Sequence, residues 1–225
     1  MKSLIYIRDI FFDVAQVLFP DLCLGCNRKH RVHHSYFCTG CLSNLPFTDH
    51  FEIAPNEVTM HLRGRVTIHH GAALLTFKKE NIVQHLLHQL KYKRRHEVGE
   101  ILGKMAAIKF EQSPLFEMPD LIIPVPIHPK KEKKRGYNQS TVFGKSIGNY
   151  LNVICRDDLL IKVKETDSQT GKSRTERVEN VADGFKVVSP ELLKSKHILL
   201  VDDVITTGAT TEACSQRLHE VGISS

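Results

Sequence analysis

The apolar positions fall first at helical spacing. Ile7, Ile10, Phe11, Val14, Val17 and Leu18 recur every three or four residues and predict a helix packed on a domain. Arg8, Asp9 and Asp13 interrupt this stretch, which has neither the uncharged length of a membrane span nor the small-residue cleavage site of an export signal. Further along the period alternates. Residues 66–77, VTIHHGAALLTF, predict a strand or hairpin, and residues 81–93 and 97–112 predict amphipathic helices. DLIIPVPI, residues 120–127, is a short apolar strand stopped by prolines, followed by a helix over 139–154. DLLIKV, GFKVV and HILLVDD predict further strands, and residues 210–222 the last helix. Strands alternating with helices predict an α/β fold: a mainly parallel sheet with helices on both faces.

Composition supports a globular chain. With 225 residues, 41% of them hydrophobic and 25% charged, there is enough for one α/β domain plus a small module, and disorder as the general state is excluded. The formal net charge of +6 favours polyanionic partners, phosphorylated metabolites or nucleic acid.

The six cysteines divide unequally. Cys23 and Cys26 form one C-x-x-C pair, Cys38 and Cys41 a second, and 11 residues separate the pairs. Two such knuckles place four thiolates around Zn²⁺, whose binding supplies folding free energy that about 25 residues do not bury for themselves. Asn27 enters the left-handed region cheaply, as a tight knuckle requires. His30, His33 and His34 are alternative ligands, but four cysteines already close the site. Disulfides are disfavoured because nothing indicates export. Cys155 and Cys214 stand alone in helical contexts and read as small core residues. The expected organisation is therefore an N-terminal helix and zinc module over 1–50, a connector broken by Pro46 and Pro55 over 51–65, and the main α/β domain over 66–225.

The chemistry concentrates in HILLVDDVITTGATT, residues 197–211. An apolar strand runs into adjacent carboxylates, Asp202 and Asp203, and then into a loop of Thr, Gly and Ala that opens the last helix. In parallel α/β sheets ligands bind at the carboxyl ends of strands. Backbone N–H groups, Thr hydroxyls and the helix dipole form a monophosphate cradle there, and paired carboxylates suit the two hydroxyls of a ribose. The chain has no G-x-x-x-x-G-K-[ST] and no G-x-G-x-x-G after a strand, so neither a P-loop nor a dinucleotide site is indicated.

VDDVITTGAT resembles the 5-phosphoribosyl-1-pyrophosphate (PRPP) motif of type I phosphoribosyltransferases. The resemblance implies that fold for the main domain. It assigns the ribose hydroxyls to Asp202 and Asp203, and the 5′-phosphate to Thr206, Thr207, Gly208, Ala209 and Thr210. PVPIHPKKEKKRGYNQS, residues 124–140, places Lys130, Lys131, Lys133, Lys134 and Arg135 before Gly136, Tyr137, Asn138 and Gln139. A run of this kind is by itself a solvated basic loop. Together with the four-cysteine segment and residues 165–185, it resembles the ComF family of competence proteins over nearly the whole chain. In that family the RGxNQ block borders the PRPP site. A mobile flap there is matched here by Thr166, Gln169, Arg174, Arg177, Asn180 and Phe185, and Lys91 matches a basic position near the site. The chain departs from the pattern at TGKS after Gln169, and at VGISS, where the family adds another strand after the last helix.

Three functions are compatible with this resemblance. One is a competence factor for DNA uptake in natural transformation that binds PRPP or a related phosphoribosyl compound. The second is an active phosphoribosyltransferase with an unidentified acceptor. The third is an accessory protein that binds single-stranded DNA and keeps a relict ligand site. The resemblance implies work in the cytoplasm or, through DNA-uptake proteins, at the inner face of the membrane. If transfer occurs, Mg²⁺ is expected to arrive with PRPP, Asp202 and Asp203 to fix the ribose, and Arg135, with Lys91 as a weaker candidate, to neutralise the leaving diphosphate.

Overall fold

The computed structural model describes residues 22–29, 35–164 and 184–225. The helix expected near the N-terminus, His30, His33 and His34, and the matched flap positions Thr166, Gln169, Arg174, Arg177 and Asn180 lie outside them. The chain divides into two compact units, one comprising residues 1–46 and 77–86, the other 47–76 and 87–225.

The first unit carries the cysteine pairs. Its short helix α1, Thr39–Ser43, starts at Cys38, whose sulfur accepts from the Cys41 N–H. Asn27 has φ +57, as its place after the first C-x-x-C pair predicts.

In the second unit the segment expected as a connector is ordered structure. Asn56 opens helix α2, Glu57–Leu62, through a capping box: its side chain accepts from the Val58 and Thr59 N–H groups, and Thr59 Oγ1 accepts from Asn56 N–H. Val58 and Leu62 are buried. Helix α3, Ile82–Tyr92, whose first five residues belong to the first unit, and helix α4, His96–Gln112, follow near their expected bounds. The strand or hairpin expected over 66–77 is not formed beyond one bridge, Leu75 to Phe47. Side chains satisfy its backbone instead: Asn56 Nδ2 donates to Gly71 O, His50 Nδ1 accepts from Ala73 N–H, and Thr48 Oγ1 donates to Ala73 O.

Strand β1, Leu121–Pro124, pairs in parallel with β4, Ile198–Val201, in the register Leu121 to Ile198 through Pro124 to Val201. On its other edge β1 forms a parallel bridge from Ile122 to Cys155, with Ile122 N–H donating to Ile154 O and Arg156 N–H to Ile122 O. Cys155 is thus at a sheet edge and not in the helical context expected for it, while Cys214 is buried in the last helix. Strands β2, Leu160–Lys162, and β3, Phe185–Val187, form a separate antiparallel pair.

Helices cover both faces of the parallel sheet. The PKKEKKR run, read from sequence as a loop, is helix α5, Pro129–Arg135, with Pro129 in its first turn and Gly136 at φ +89 closing it. Helix α6, Gln139–Leu151, lies on one face: a Cβ at Gly144 would stand 2.9 Å from Val201 and 3.5 Å from Ile122. Asn152 ends it at φ +57, short of the expected 154. Helix α7, Ala209–Glu220, covers the other face, where Ala213, Cys214 and Leu218 join Ile123 and Val125 in the core. Alternation along β1 sends Ile122 to α6 and Ile123 to α7, as a strand buried on both faces requires.

Candidate functional site

The four cysteines of the first unit converge. The sulfurs of Cys23, Cys26, Cys38 and Cys41 all lie within 4.8 Å of one another, and Cys26 and Cys38 are 3.9 Å apart. Tetrahedral Zn–S bonds of about 2.3 Å place sulfurs about 3.8 Å apart, whereas a disulfide requires about 2.05 Å. The spacing could accommodate a metal ion and is too wide for a disulfide. Backbone N–H groups support the sulfurs: Cys38 N–H donates to Cys23 Sγ at 3.3 Å and Cys41 N–H to Cys38 Sγ at 3.4 Å. Burial works against the Cys23 thiolate, but backbone donors from Cys38, Cys26 and Gly25 outweigh it and bring the pKa down to about 7. Burial and the neighbouring sulfurs push the Cys41 thiol up. Four thiolates at this spacing repel one another strongly, and a dication relieves that repulsion.

In the second unit the carboxyl edges of β1 and β4 are joined by the turn between α5 and α6. Val125, just past β1, donates to Val201 O at 2.8 Å and accepts from Asn138 Nδ2 at 2.9 Å. Asn138 also caps α6, accepting from Ser140 N–H. Ser140, fully buried, then donates through Oγ to Asp202 Oδ1 at 2.9 Å, and the Asp203 N–H donates to the same oxygen at 2.7 Å. The GYNQS turn therefore orients the first carboxylate. Tyr137 stacks on His96 at 3.8 Å and donates its hydroxyl to Leu90 O, fixing the end of α3. The next residue, Lys91, reaches Asp203 at 2.7 Å.

Burial first, and then the charge of Asp203, push the Asp202 pKa up to about 7. One side of Asp202 borders a cavity of about 230 Å³ whose walls include Phe143, Ile147, Leu199 and Ile205. The unfolded carboxyl titrates near 3.9. Between about pH 4 and 7 the native state thus keeps a proton that the unfolded chain has released, and this group's contribution makes the fold less stable as pH rises through that window. Asp202→Asn is expected to flatten the dependence, with the variant gaining on wild type at pH 8 relative to pH 5 in urea unfolding. Parallel pH profiles for the two proteins would refute the raised pKa.

The other expected residues separate by position. Thr206 and Thr207 are exposed in the loop, Gly208 is buried at φ +70 as the cap of α7, and Ala209 and Thr210 open that helix. Arg135 donates to Gln139 Oε1 at 2.7 Å rather than to either carboxylate. Phe185 lies in β3. Three contributors carried no sequence signal that singled them out. Ser140 follows the matched block. Lys162, on β2, holds its ammonium 4.9 Å above the Phe185 ring, and burial and then the charge of Lys131 lower its pKa while Asp202 opposes them. Arg65, at the end of the expected connector, binds Thr207 O and Glu212.

A parallel α/β sheet with a carboxylate pair and a small-residue loop at its carboxyl edge, in a chain that also carries a four-cysteine cluster able to hold a metal ion, defines the class as an α/β protein with an N-terminal cysteine module. The chain is homologous to competence proteins. It is 25% identical to Competence protein F of Haemophilus influenzae over 218 residues, 89% of this chain and 92% of that one. It is 22% identical to Competence protein ComFC of Bacillus subtilis over 223 residues, 96% of this chain and 85% of that one. DNA utilization protein YhgH of Shigella flexneri is 29% identical over 140 residues, 61% of each chain. No protein-family model matches. Among solved structures, glutamine PRPP amidotransferase of B. subtilis, complexed with ADP and GMP, aligns with a TM-score of 0.42 and 20% identity over 62% of this chain and 30% of that one. Among the described residues no helix is long and apolar enough to cross a membrane.

Proposed function

We propose that this protein serves DNA uptake in natural transformation and binds PRPP or a related phosphoribosyl compound at the carboxyl edge of its parallel sheet, as a phosphoribosyltransferase-like domain. The observation that carries the ligand is the carboxylate pair itself. Asp202 is oriented by Ser140, Asp203 is paired with Lys91, and the loop that follows leads into the N-terminus of α7. Two adjacent carboxylates fit a vicinal diol, and the loop and helix N-terminus fit a phosphate. The pair presents reduced negative charge to an incoming ligand, because burial and the neighbouring Asp203 disfavour the ionised form of Asp202 and Lys91 offsets Asp203. A polyanion therefore approaches without prohibitive repulsion. Arg135 supplies the cation that would offset a diphosphate, with Lys91 the weaker candidate because Asp203 already holds it. Mg²⁺ would accompany that diphosphate, since it prefers phosphate oxygens and water. Zn²⁺ is the metal proposed for the cysteine cluster, on the strength of its four sulfur ligands.

The DNA-uptake role rests on the homologues, whose names speak of competence and DNA utilization. The charge on α5 favours a direct polynucleotide contact: Lys130, Lys131, Lys133 and Lys134 are all exposed on one seven-residue helix. Binding of single-stranded DNA there should fall steeply with salt. The cytoplasm, or the inner face of the membrane in company with DNA-uptake proteins, is the proposed place of work.

Titration of Mg²⁺–PRPP into the purified protein tests the ligand, and a pyrophosphate-release screen over acceptors separates binding from transfer. Deletion of the gene should lower transformation frequency and leave growth without nucleobases normal. A deletion strain that transforms normally but requires a nucleobase would place the protein in nucleotide metabolism instead.

A further inference from the structure

Resting on that reading of the loop, we infer that Arg65 is a positioning residue for its phosphate. The guanidinium makes one fork to three places. Nε donates to Glu212 Oε2 at 2.8 Å and Nη2 donates to the same oxygen. Nη1 donates to Thr207 O at 2.8 Å and to His61 O at 3.2 Å. The end of α2 is thereby tied to the loop and to the first turn of α7. Leu62 packs on the same place, since a Cβ at Gly208 would stand 2.9 Å from its Cδ2.

Two physical consequences follow for an anion. The Thr207–Gly208 peptide is trans, so its carbonyl and its N–H point to opposite sides. Holding the carbonyl on Arg65 turns the Gly208 N–H away from Arg65 and fixes the direction in which it can donate. Glu212, only 6% exposed, also places a negative charge in the first turn of α7, where it competes with any bound phosphate for the helix N-terminus. Arg65 neutralises that charge. Lysine in its place keeps the positive charge and loses the fork, because one ammonium does not reproduce the planar set of donors.

The test titrates the full chain with PRPP, ribose 5-phosphate and inorganic pyrophosphate. Arg65→Lys should weaken PRPP and ribose 5-phosphate by about tenfold, the equivalent of one charge-assisted hydrogen bond, and change pyrophosphate affinity less than twofold. A general structural defect would weaken all three. Glu212→Gln keeps an acceptor for Arg65 and removes the competing charge, so it should raise ribose 5-phosphate affinity about two- to fivefold. If Arg65→Lys does not fold, Glu212→Gln decides alone, and weaker binding in it overturns the proposal. Wild-type binding with unchanged affinity in Arg65→Lys overturns the role of Arg65 only. Failure of the wild type to bind either ribose phosphate overturns the phosphoribosyl reading and this inference together.

Discussion

The variant carrying Asp202→Asn and Asp203→Asn is expected to bind Mg²⁺–PRPP at least about thirtyfold more weakly than wild type while melting cooperatively. Each carboxylate removed from a ribose hydroxyl costs about 1–3 kcal/mol, so the pair costs about 2–6 kcal/mol. The fold survives because an Asn amide oxygen at position 202 still accepts from Ser140 Oγ and from the next N–H, the two bonds that hold the side chain in place. Identical titration curves for wild type and variant would remove the ribose assignment. In cells the same variant should fail to restore transformation to a deletion strain. Full restoration would instead favour a protein that works through its basic surface alone. For the phosphate half of the ligand, Thr207→Ala is a cleaner probe than Gly208→Val. Gly208 combines φ +70 with a Cβ position 2.9 Å from Leu62, so a larger residue there disturbs packing as well as binding.

Cys38→Ser is expected to abolish metal binding and unfold the segment around it. Wild-type protein purified under reducing conditions should carry about one zinc per chain. Structural Zn²⁺ contributes roughly 10–16 kcal/mol to small modules of this kind, well beyond what the few buried apolar residues around the cluster, Leu24 and Phe37 among them, supply. Cys38 is also the residue that starts α1 and accepts the Cys41 N–H, a cap that a serine hydroxyl keeps, so the variant removes the metal ligand and leaves the helix start in place. Elemental analysis and limited proteolysis read the two effects, with Cys155→Ser as a control outside the cluster. Absence of zinc from fresh wild-type protein would end the assignment.

The amino-acid sequence by itself determined what is local. Helices α3, α4, α6 and α7 and strands β1 and β4 follow from periodicity, whereas the sequence reads α5 as a loop and carries α6 past the left-handed Asn152 that ends it. The cysteine spacing led to the four-cysteine cluster, and the adjacency of Asp202, Asp203 and the small-residue loop was legible because one strand end carries all of it. Local reading failed where backbone groups are satisfied by side chains from elsewhere. Residues 66–77 have a strand-like composition, yet Thr48, His50 and Asn56 take the hydrogen bonds that a partner strand would have made. The short helix α2 was hidden by the prolines and polar residues around it, though its capping pair, Asn56 and Thr59, stands in the sequence.

Only the tertiary structure decided how the candidate site is held. Ser140 meets Asp202 across 62 positions of chain, and Arg65 meets Glu212 across 147. Lys91 reaches Asp203 because Tyr137 fixes the end of the helix that carries it. No period or spacing encodes such pairs. Each depends on the β1–β4 register, on where α6 comes to rest against the sheet and on where α2 and α3 pack, and those positions are set by burial of apolar faces.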